Sequence, residues 1–371
     1  MTASRAPVTS ADRRIGLQSV SIGCAVIYLA LVTTAERRTM ASLAQASSVT
    51  RNEESVSASP RTHEFAGGPY RNRMSAAFPP VLRVNSGDSV RTSTLDNVGV
   101  DAAGALRASP PNPQTGPFFV DGAAAGDTLA VTLDAVSLNR DSAHSIGRLV
   151  PYTVTADYAL RTEYGAFDAN WALDHEQGVA VLRHPSPGLK DFRVKVRPML
   201  GGIGVAAPRD PAPLATELGA WGGNLDYASL AQGTTVYLPV FHPGALLYIG
   251  DGHAFQGDGE LTGAAIETSL DVRFTVRVLK GWPLDGPRAE NDEFLMAMGI
   301  GDTFSEAFRR STSSLLTWLQ RDYSLSPNEA AMVLGAILKY DVAEIVDPQI
   351  HVVARLAKAA LPARTRSGVV R

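Results

Sequence analysis

Cysteine is almost absent from this sequence. The only one among 371 residues is Cys24, near the N-terminus. A single thiol cannot form a disulfide within the chain, and it provides no Cys-x-x-Cys pair for a metal or for redox exchange. The fold therefore depends on a hydrophobic core, and 45% hydrophobic residues are enough to build one in one large or two coupled domains.

An excess of charge of either sign is also absent. Charged residues make up 19% of the chain, and the formal net charge is -3. A balance this even provides no broad electrostatic attraction for nucleic acid or for an anionic membrane surface. We therefore expect no nucleic-acid partner.

Several common catalytic motifs are missing. The sequence contains no Gly-x-Ser-x-Gly elbow, no Gly-x-x-x-x-Gly-Lys phosphate loop and no His-Glu-x-x-His helix. The segment MLGGIGVAAP, residues 199–208, has neither the lysine of a phosphate loop nor the glycine spacing of a dinucleotide site, and it is typical of a tight turn between strands. The serine-rich run at 311–314 falls in a predicted helix without a nearby base, so we expect it to be structural.

One long apolar run is present, at the N-terminus. Two arginines precede the apolar segment 15–35, and Ala-Gln-Ala at 44–46 provides a small-x-small cleavage site. We predict that residues 1–46 are a signal peptide or a membrane anchor, which makes the protein exported (periplasmic or secreted) or membrane-anchored. A misassigned start with no targeting role is the third alternative. The polar residues 47–60 are predicted to be a disordered tether.

Short segments with alternating polarity dominate residues 61–280. In DVRFTVRVL, for example, apolar residues stand at every second position, and this pattern predicts mainly antiparallel β structure of sandwich or barrel type. Helical spacing appears at 303–320 and again after the capping serine Ser326, to about Tyr340. Residues 281–371 are therefore predicted to be a C-terminal helical α/β section of the same unit, and the fold class is α+β.

The stretch GDGHAFQGDGE, residues 250–260, concentrates potential ligands in what reads as one short loop. Residues two apart in an extended backbone point the same way, so Asp251 with His253, and Asp258 with Glu260, are predicted to converge in pairs. The intervening glycines remove bulk and permit positive φ angles. Imidazole with carboxylates suits Zn or Mn, whereas oxygen ligands alone suit Ca or Mg. A set of solvated Gly-Asp turns is the alternative.

The segment WGGNLD, residues 221–226, forms a second polar cluster. Asn224 stands two residues before Asp226, and a strand pair leads from this segment directly to the 250–260 stretch. One hairpin would then bring both side chains beside His253. An Asx turn at the hairpin is the alternative.

These segments together resemble the acetamidase/formamidase family. The resemblance covers roughly residues 61–362 and is carried by NPQTGPFFVDGAAAGDTLAV, MLGGIGVAAP, GGNLD and VYLPVFHPGALLYIGDGHAFQGDGELTGAAIE. It implies hydrolysis of a small linear amide to a carboxylate and ammonia, in a β-rich fold that can carry a divalent metal. The sequence is also compatible with a homo-oligomer. Many members have histidine where this chain has Trp221, and the apolar leader is a second departure.

Amide hydrolysis assigns a role to each candidate residue. The reaction needs an activated water, stabilisation of the oxyanion and a proton for the leaving amine. The predicted ligands of a divalent metal, Zn first with Ca or Mn as alternatives, are Asp226, Asp251 and His253. The predicted proton carriers are Glu260 and Glu267. The predicted substrate contacts are Asn224, Gln256 and Trp221.

Two other functions fit the same residues. One is an exported, non-catalytic ligand-binding protein that keeps the scaffold and the polar pocket, and the other is a hydrolase of lactams or other cyclic amides. A scaffold does not fix its function, and the change to Trp221 is compatible with either.

The leader generates the first testable prediction. We expect the mature chain to begin between Glu36 and Ser47 and to lie outside the cytoplasm, because export signals are removed after small residues. N-terminal sequencing of protein from the native cells checks this. Recovery of Met1 in a soluble cytoplasmic fraction would contradict it.

Overall fold

The computed structural model describes residues 59–165 and 168–365. The predicted leader at 1–46 and most of the predicted tether lie outside these ranges. Within the described ranges, no helix combines the length and the apolar character that crossing a membrane requires.

Strands dominate the described chain. Numbered along the chain they are β1 (Thr62–Phe65), β2 (Tyr70–Arg71), β3 (Leu82–Asn85), β4 (Ser89–Ser93), β5 (Gln114–Asp121), β6 (Thr128–Leu138), β7 (Ser142–Ile146), β8 (Asp168–Asp174), β9 (Val179–Leu182), β10 (Arg193–Lys195), β11 (Met199–Val205), β12 (Leu218–Gly219), β13 (Gly222–Asn224), β14 (Thr235–Pro239), β15 (Leu247–Phe255), β16 (Ile266–Glu267), β17 (Leu270–Leu279), β18 (Arg288–Glu290), β19 (Phe294–Gly301), β20 (Lys339–Glu344) and β21 (Ile350–Ala357). The α helices are α1 (Ala156–Arg161), α2 (Phe304–Asp322) and α3 (Pro327–Ile337), and 3-10 turns lie at Pro151–Thr153, Pro187–Leu189 and Lys358–Ala360.

The strands form two sheets. One has nine strands in the order β1-β4-β17-β6-β14-β18-β19-β21-β20, and the other has twelve, with β10-β9-β8-β7-β16-β15-β11-β13-β12 as its main path and β5 joining β2 and β3 to β15. Within the described ranges, every pairing of these strands is antiparallel except β1 with β4 and β3 with β5. One hydrophobic core holds buried residues of both sheets, among them Phe274 of the first and Ile249 of the second. The predicted sandwich of mainly antiparallel strands is confirmed.

The two longer helices, α2 and α3, lie in the C-terminal part, as the sequence predicts. In α2, Leu315, Trp318 and Leu319 pack in a second core cluster with residues of β19 and β21. The predicted capping box at Ser326 starts α3. This helix ends at Ile337, earlier than expected, because the next residues pair with β21 as strand β20. The α+β class is therefore confirmed, and the nine-stranded sheet includes strands on both sides of residue 280.

Two glycine-rich segments have a different structure from the one expected. Residues 199–205 form the fully buried strand β11, so the prediction of a tight turn there was wrong. Residues 250–255 belong to β15, so the loop expected at 250–260 begins only after Phe255. The reason is long-range pairing: β11 hydrogen-bonds with β13 on one side and with β15 on the other.

Gly201, in the middle of β11, leaves space that charged side chains occupy. A Cβ added at this position would lie 2.3 Å from Asp226 Oδ1, 2.8 Å from His253 Cε1 and 2.9 Å from Asp251 Oδ2. Asp226 follows β13, whereas Asp251 and His253 lie on β15. Side chains from the two neighbours of β11 therefore meet above a strand that has no side chain at that point.

This contact makes Gly201→Ala a test of the arrangement. We expect the substitution to lower the free energy of unfolding by about 1–3 kcal/mol, the range for an overpacked interior. Gly335→Ala is the matched control, because nothing lies within 4 Å of a Cβ at that helical position. The control should raise stability by up to about 1 kcal/mol, the difference in helix propensity. Urea unfolding measures both, and a Gly201→Ala protein as stable as the wild type would contradict the packing role of Gly201.

Candidate active site

The imidazole of His253 lies at the centre of a buried cluster of carboxylates. Its Nε2 is 3.3 Å from Glu267 Oε2, 3.5 Å from Asp251 Oδ1 and 3.7 Å from Asp226 Oδ1. Each of these four side chains belongs to a residue that is at most 2% exposed. Glu260 completes the cluster, since its carboxylate, Asp226 and His253 offer ligand atoms within 4.8 Å of one another.

A glutamine fixes the orientation of His253. The Nε2 of Gln256 donates hydrogen bonds to the backbone carbonyls of Asp226 and Ala343, so its Oε1 is available as an acceptor. His253 Nδ1 lies 3.1 Å from this Oε1 and donates its hydrogen to it. In the neutral imidazole, Nε2 then carries the lone pair, and it faces the carboxylates.

Two asparagines orient the aspartates in the same way. Asn224 Nδ2 donates to Asp226 Oδ2 and, at 2.8 Å, to Asp347 Oδ2. Asn112 Nδ2 donates at 3.0 Å to Asp251 Oδ2 and at 2.8 Å to Asn224 Oδ1. In both Asp226 and Asp251 the Oδ2 atom is therefore occupied by an amide, and the Oδ1 atom is the one that faces His253.

The backbone around the cluster is strained. Seven non-glycine residues in the described ranges have a positive φ, and four of them belong to this site: Asn112 (42°), Asp226 (36°), Asp251 (56°) and Glu260 (46°). Residues other than glycine rarely adopt this left-handed backbone conformation, and those that do concentrate at functional sites. Three of the four, Asp226, Asp251 and Glu260, place their carboxylates near His253, and the fourth, Asn112, donates to Asp251.

Burial changes the protonation of the cluster. It raises the pKa of Asp226 well above its usual value, and the neighbouring Glu260 and Asp251 raise it further. Burial likewise raises the pKa of Glu260 well above the usual range and also raises the pKa of Glu267. Burial by itself would lower the pKa of His253, but the charges of Glu267 and Asp251 outweigh it and raise that pKa. Burial and mutual repulsion thus favour the protonated forms of these carboxyl groups.

Four buried atoms of the cluster have no hydrogen-bond partner in the described structure: Asp226 Oδ1, Asp251 Oδ1, His253 Nε2 and Glu267 Oε2. Buried polar atoms are nearly always paired, so their convergence on one point requires an explanation. Imidazole nitrogen and carboxylate oxygen are ligands of divalent cations. Two three-residue sets have suitable spacing, Asp226 with His253 and Glu260, and Asp251 with His253 and Glu267. The residues present therefore fit a divalent metal.

A cavity of about 250 Å³ gives access to the cluster. Its charged and amide lining consists of Asn97, Asn112, Asn224, Asp251, Glu260, Glu267 and Asp347, and its remaining lining consists of Val98, Pro110, Pro111, Thr216 and Gly263. Burial raises the pKa of Asp347 to about 7. Four carboxyl groups thus line the cavity: those of Asp251, Glu260, Glu267 and Asp347.

The other predicted site residues lie in different surroundings. Asn224 lines the cavity, but both hydrogens of its amide are donated to carboxylates. Gln256 supports His253 from outside the cavity lining, and Trp221, 9% exposed, packs in the hydrophobic core. Contact of these three with substrate stays a prediction. Asp258 is exposed whereas Glu260 is buried, so the predicted convergence of this pair was wrong.

Sequence reasoning missed two members of the site, Asn112 and Asp347. Asn112 opens the segment NPQTG, and Asp347 directly precedes Pro348, so both stand in segments typical of turns. Neither segment contains a ligand pattern, and each reaches the cluster only through the tertiary fold. The sequence offered one indication of their role: each is a polar residue in a turn that adjoins a strand.

Comparison with known proteins relates this site to a family. Residues 218–298 match the model of the Acetamidase/Formamidase family. The matched segment contains all the site residues that the sequence predicted, from Trp221 to Glu267, whereas Asn112 and Asp347 lie outside it.

Individual relatives support the same relationship. A candidate formamidase from Schizosaccharomyces pombe is 47% identical over 60 residues, which is 16% of this chain and 15% of that protein, so the match spans far less than two thirds of its length. The crystal structure of an acetamidase from Bacillus halodurans is 28% identical, with a TM-score of 0.68 over 79% of this chain and 97% of that one. An acetamidase from Yersinia enterocolitica is 27% identical, with a TM-score of 0.71 over 82% and 94% of the two chains. The resemblance of this chain to the acetamidase/formamidase family is thus confirmed, in its matched segment and in its fold.

Proposed function

We propose that this chain hydrolyses a small linear amide to a carboxylate and ammonia at the His253 cluster, with a divalent metal as cofactor and zinc as the first choice. The observation that carries the proposal is the convergence of the four unpartnered atoms of Asp226, Asp251, His253 and Glu267. The family match and the relatives named as acetamidases support the reaction type.

In this proposal Asp226, Asp251 and His253 hold the metal. Their free atoms already face one another, and Gln256 and Asn224 keep the imidazole and one carboxylate in position. When bound, a divalent metal supplies Lewis acidity for a water and for the amide carbonyl.

The two glutamates would carry the proton that the leaving amine needs. Within the described residues, no hydrogen bond holds the Glu260 carboxylate, and burial, which raises its pKa, favours the protonated form. Glu260 therefore suits the proton donor. Glu267 is held more firmly, because its Oε1 accepts a hydrogen bond from the Ala265 amide at 2.8 Å while its Oε2 faces His253. It suits the group that receives a proton from water.

The cavity also supports a small neutral substrate. Its volume of about 250 Å³ admits a short amide together with water. No lysine or arginine is among the described residues that line it, whereas Asp251, Glu260 and Glu267 are. An amide with its own carboxylate group would meet like charges there. No observation in the described residues favours the non-catalytic binding protein or the lactam hydrolase over this proposal.

Loss of one ligand should remove most of the activity. We expect Asp251→Asn and His253→Ala to lower ammonia release from formamide, acetamide and longer linear amides by about 100-fold or more, with the protein still folded. Asp258→Asn is the matched control, because it changes an exposed carboxylate of the same segment. Metal content measured on each preparation accompanies the assay.

The outcomes separate the parts of the proposal. Full activity of a metal-free preparation would overturn the metal role, and full activity of His253→Ala would overturn the site. A lactam panel run in parallel tests the cyclic-amide alternative. Ligand binding without release of ammonia from any amide would favour a binding protein.

Metal binding should release protons and strengthen with pH. Asp226 and His253, two of the proposed ligands, have raised pKa values, so protons compete with the cation for these groups, and this competition weakens as the pH rises. Zn²⁺ affinity of the metal-free protein is therefore expected to rise with pH. Calorimetric titration in two buffers of different ionisation enthalpy measures both affinity and proton release, and a pH-independent affinity would contradict protonation of these ligands.

A further inference from the structure

Asn97, on the loop that follows β4, is part of the wall of the cavity that leads to the His253 cluster. Two contacts hold this loop in place. The carboxylate of Asp96 accepts a hydrogen bond from Arg140 at 2.7 Å, in an ion pair whose side chains are 2% and 8% exposed. The backbone carbonyl of Asn97 accepts from the amide of Asn112 at 2.8 Å. The position of Asn97 relative to the cluster is therefore fixed.

His144, on β7, orients the side chain of Asn97. Its Nε2 lies 3.0 Å from Asn97 Oδ1, and Nε2 is the donor because an amide oxygen can only accept. His144 stands opposite Glu267 in the pairing of β7 with β16, and side chains of such a pair lie on the same face of a sheet. Asn97 thus contacts a residue that adjoins the cluster.

Three side-chain amides line the cavity, and they differ in which hydrogens are still available. Asn224 donates both hydrogens of its Nδ2 to carboxylates, and Asn112 donates both of its own to Asn224 and Asp251. The Nδ2 of Asn97 donates to no other residue within the described ranges. Because its oxygen is bonded to His144, the hydrogens of Nδ2 are the part of this amide that a ligand can use.

A substrate amide matches such a donor through its carbonyl oxygen. This oxygen is the one good acceptor of an amide, since resonance delocalises the nitrogen lone pair into the carbonyl group. Among the described lining side chains, the neutral donors left for a ligand are the amide of Asn97 and the hydroxyl of Thr216. Only the amide of Asn97 is held by a hydrogen bond within the described ranges.

We propose that Asn97 binds the carbonyl oxygen of the substrate amide, and that His144 is the positioning residue that holds Asn97. The inference rests on the proposed amide hydrolysis. When water attacks the carbonyl carbon, negative charge develops on that oxygen, so the hydrogen bond from Asn97 becomes stronger in the transition state. Asn97 donates this hydrogen bond and transfers no proton.

Asn97→Leu tests the contact, because leucine is similar in size but has no donor. We expect kcat for ammonia release from the best linear amide to fall about 100-fold, the loss typical of one oxyanion donor, with metal content and thermal unfolding unchanged. Asn328→Leu is the matched control, because Asn328 is exposed in the first turn of α3. Steady-state kinetics, with elemental analysis of each preparation, measures the effect.

Two variants of His144 test the positioning role. Glutamine keeps an N–H donor for Asn97 Oδ1 and leucine does not, so we expect kcat of His144→Gln to stay close to the wild type and kcat of His144→Leu to fall about tenfold. In the Asn97→Leu background, His144→Leu should cause no further loss, because both changes remove the same interaction. Additive losses would contradict a role of His144 through Asn97.

Equal kcat in the wild type and Asn97→Leu would overturn the proposal. Loss of metal together with activity would overturn it as well, because Asn97 would then support the cluster and not the substrate. If Asn97→Leu does not fold, Asn97→Asp replaces it, since a carboxylate can accept from His144 but cannot donate. A wild type that releases ammonia from no amide counts against the proposed hydrolysis itself. An active wild type that is indifferent to Asn97→Leu counts against this inference alone.

Discussion

Four carboxylates share one buried imidazole, and their mutual repulsion in a water-poor environment is the constraint on which the site depends. Asp226, Asp251, Glu260 and Glu267 cannot all be ionised there unless a positive charge compensates them. Without a metal, raised pKa values and the cationic form of His253 achieve this. In the proposed metal-bound form, the cation would supply that positive charge, and the same unpartnered oxygens would be its ligands.

Other features of the fold serve this cluster. Gly201 removes a side chain from the strand between the two that carry the aspartates, and Asn112 and Asn224 fix one oxygen of each aspartate. Left-handed backbone at four residues costs about 1–3 kcal/mol at each position and persists only where the surroundings enforce it. The two-sheet core supplies that enforcement, because β11 is fully buried and β15 is buried up to its last residue, which leaves the site little freedom to relax. The carboxylates and the imidazole of the cluster are therefore held in place before a ligand arrives. Hydrolysis of an unreactive amide requires polar groups that are preorganised in this way.

The even charge balance of the chain conceals one acidic cavity. The cavity at His253 is lined by carboxyl and amide side chains, with no arginine or lysine among its described lining residues. A net charge near zero excludes broad attraction of polyanions, but it does not describe the field inside a cavity of this kind.

The sequence by itself determined the features that depend on local periodicity and on side-chain chemistry. The alternation in β17, the capping box of α3 and the α+β class follow from such patterns, and so does the choice of His253 with Asp226, Asp251, Glu260 and Glu267, because few residue types bind cations or carry protons. Tertiary structure decided where these groups meet. Strand β11 looked like a turn because glycine is a turn residue unless neighbouring strands supply its hydrogen bonds, and those neighbours lie at 222–224 and 247–255. Asn112 and Asp347 reach the cluster only through burial beside residues far away in the chain, and burial of a particular side chain depends on pairing between distant strands, which no local pattern encodes.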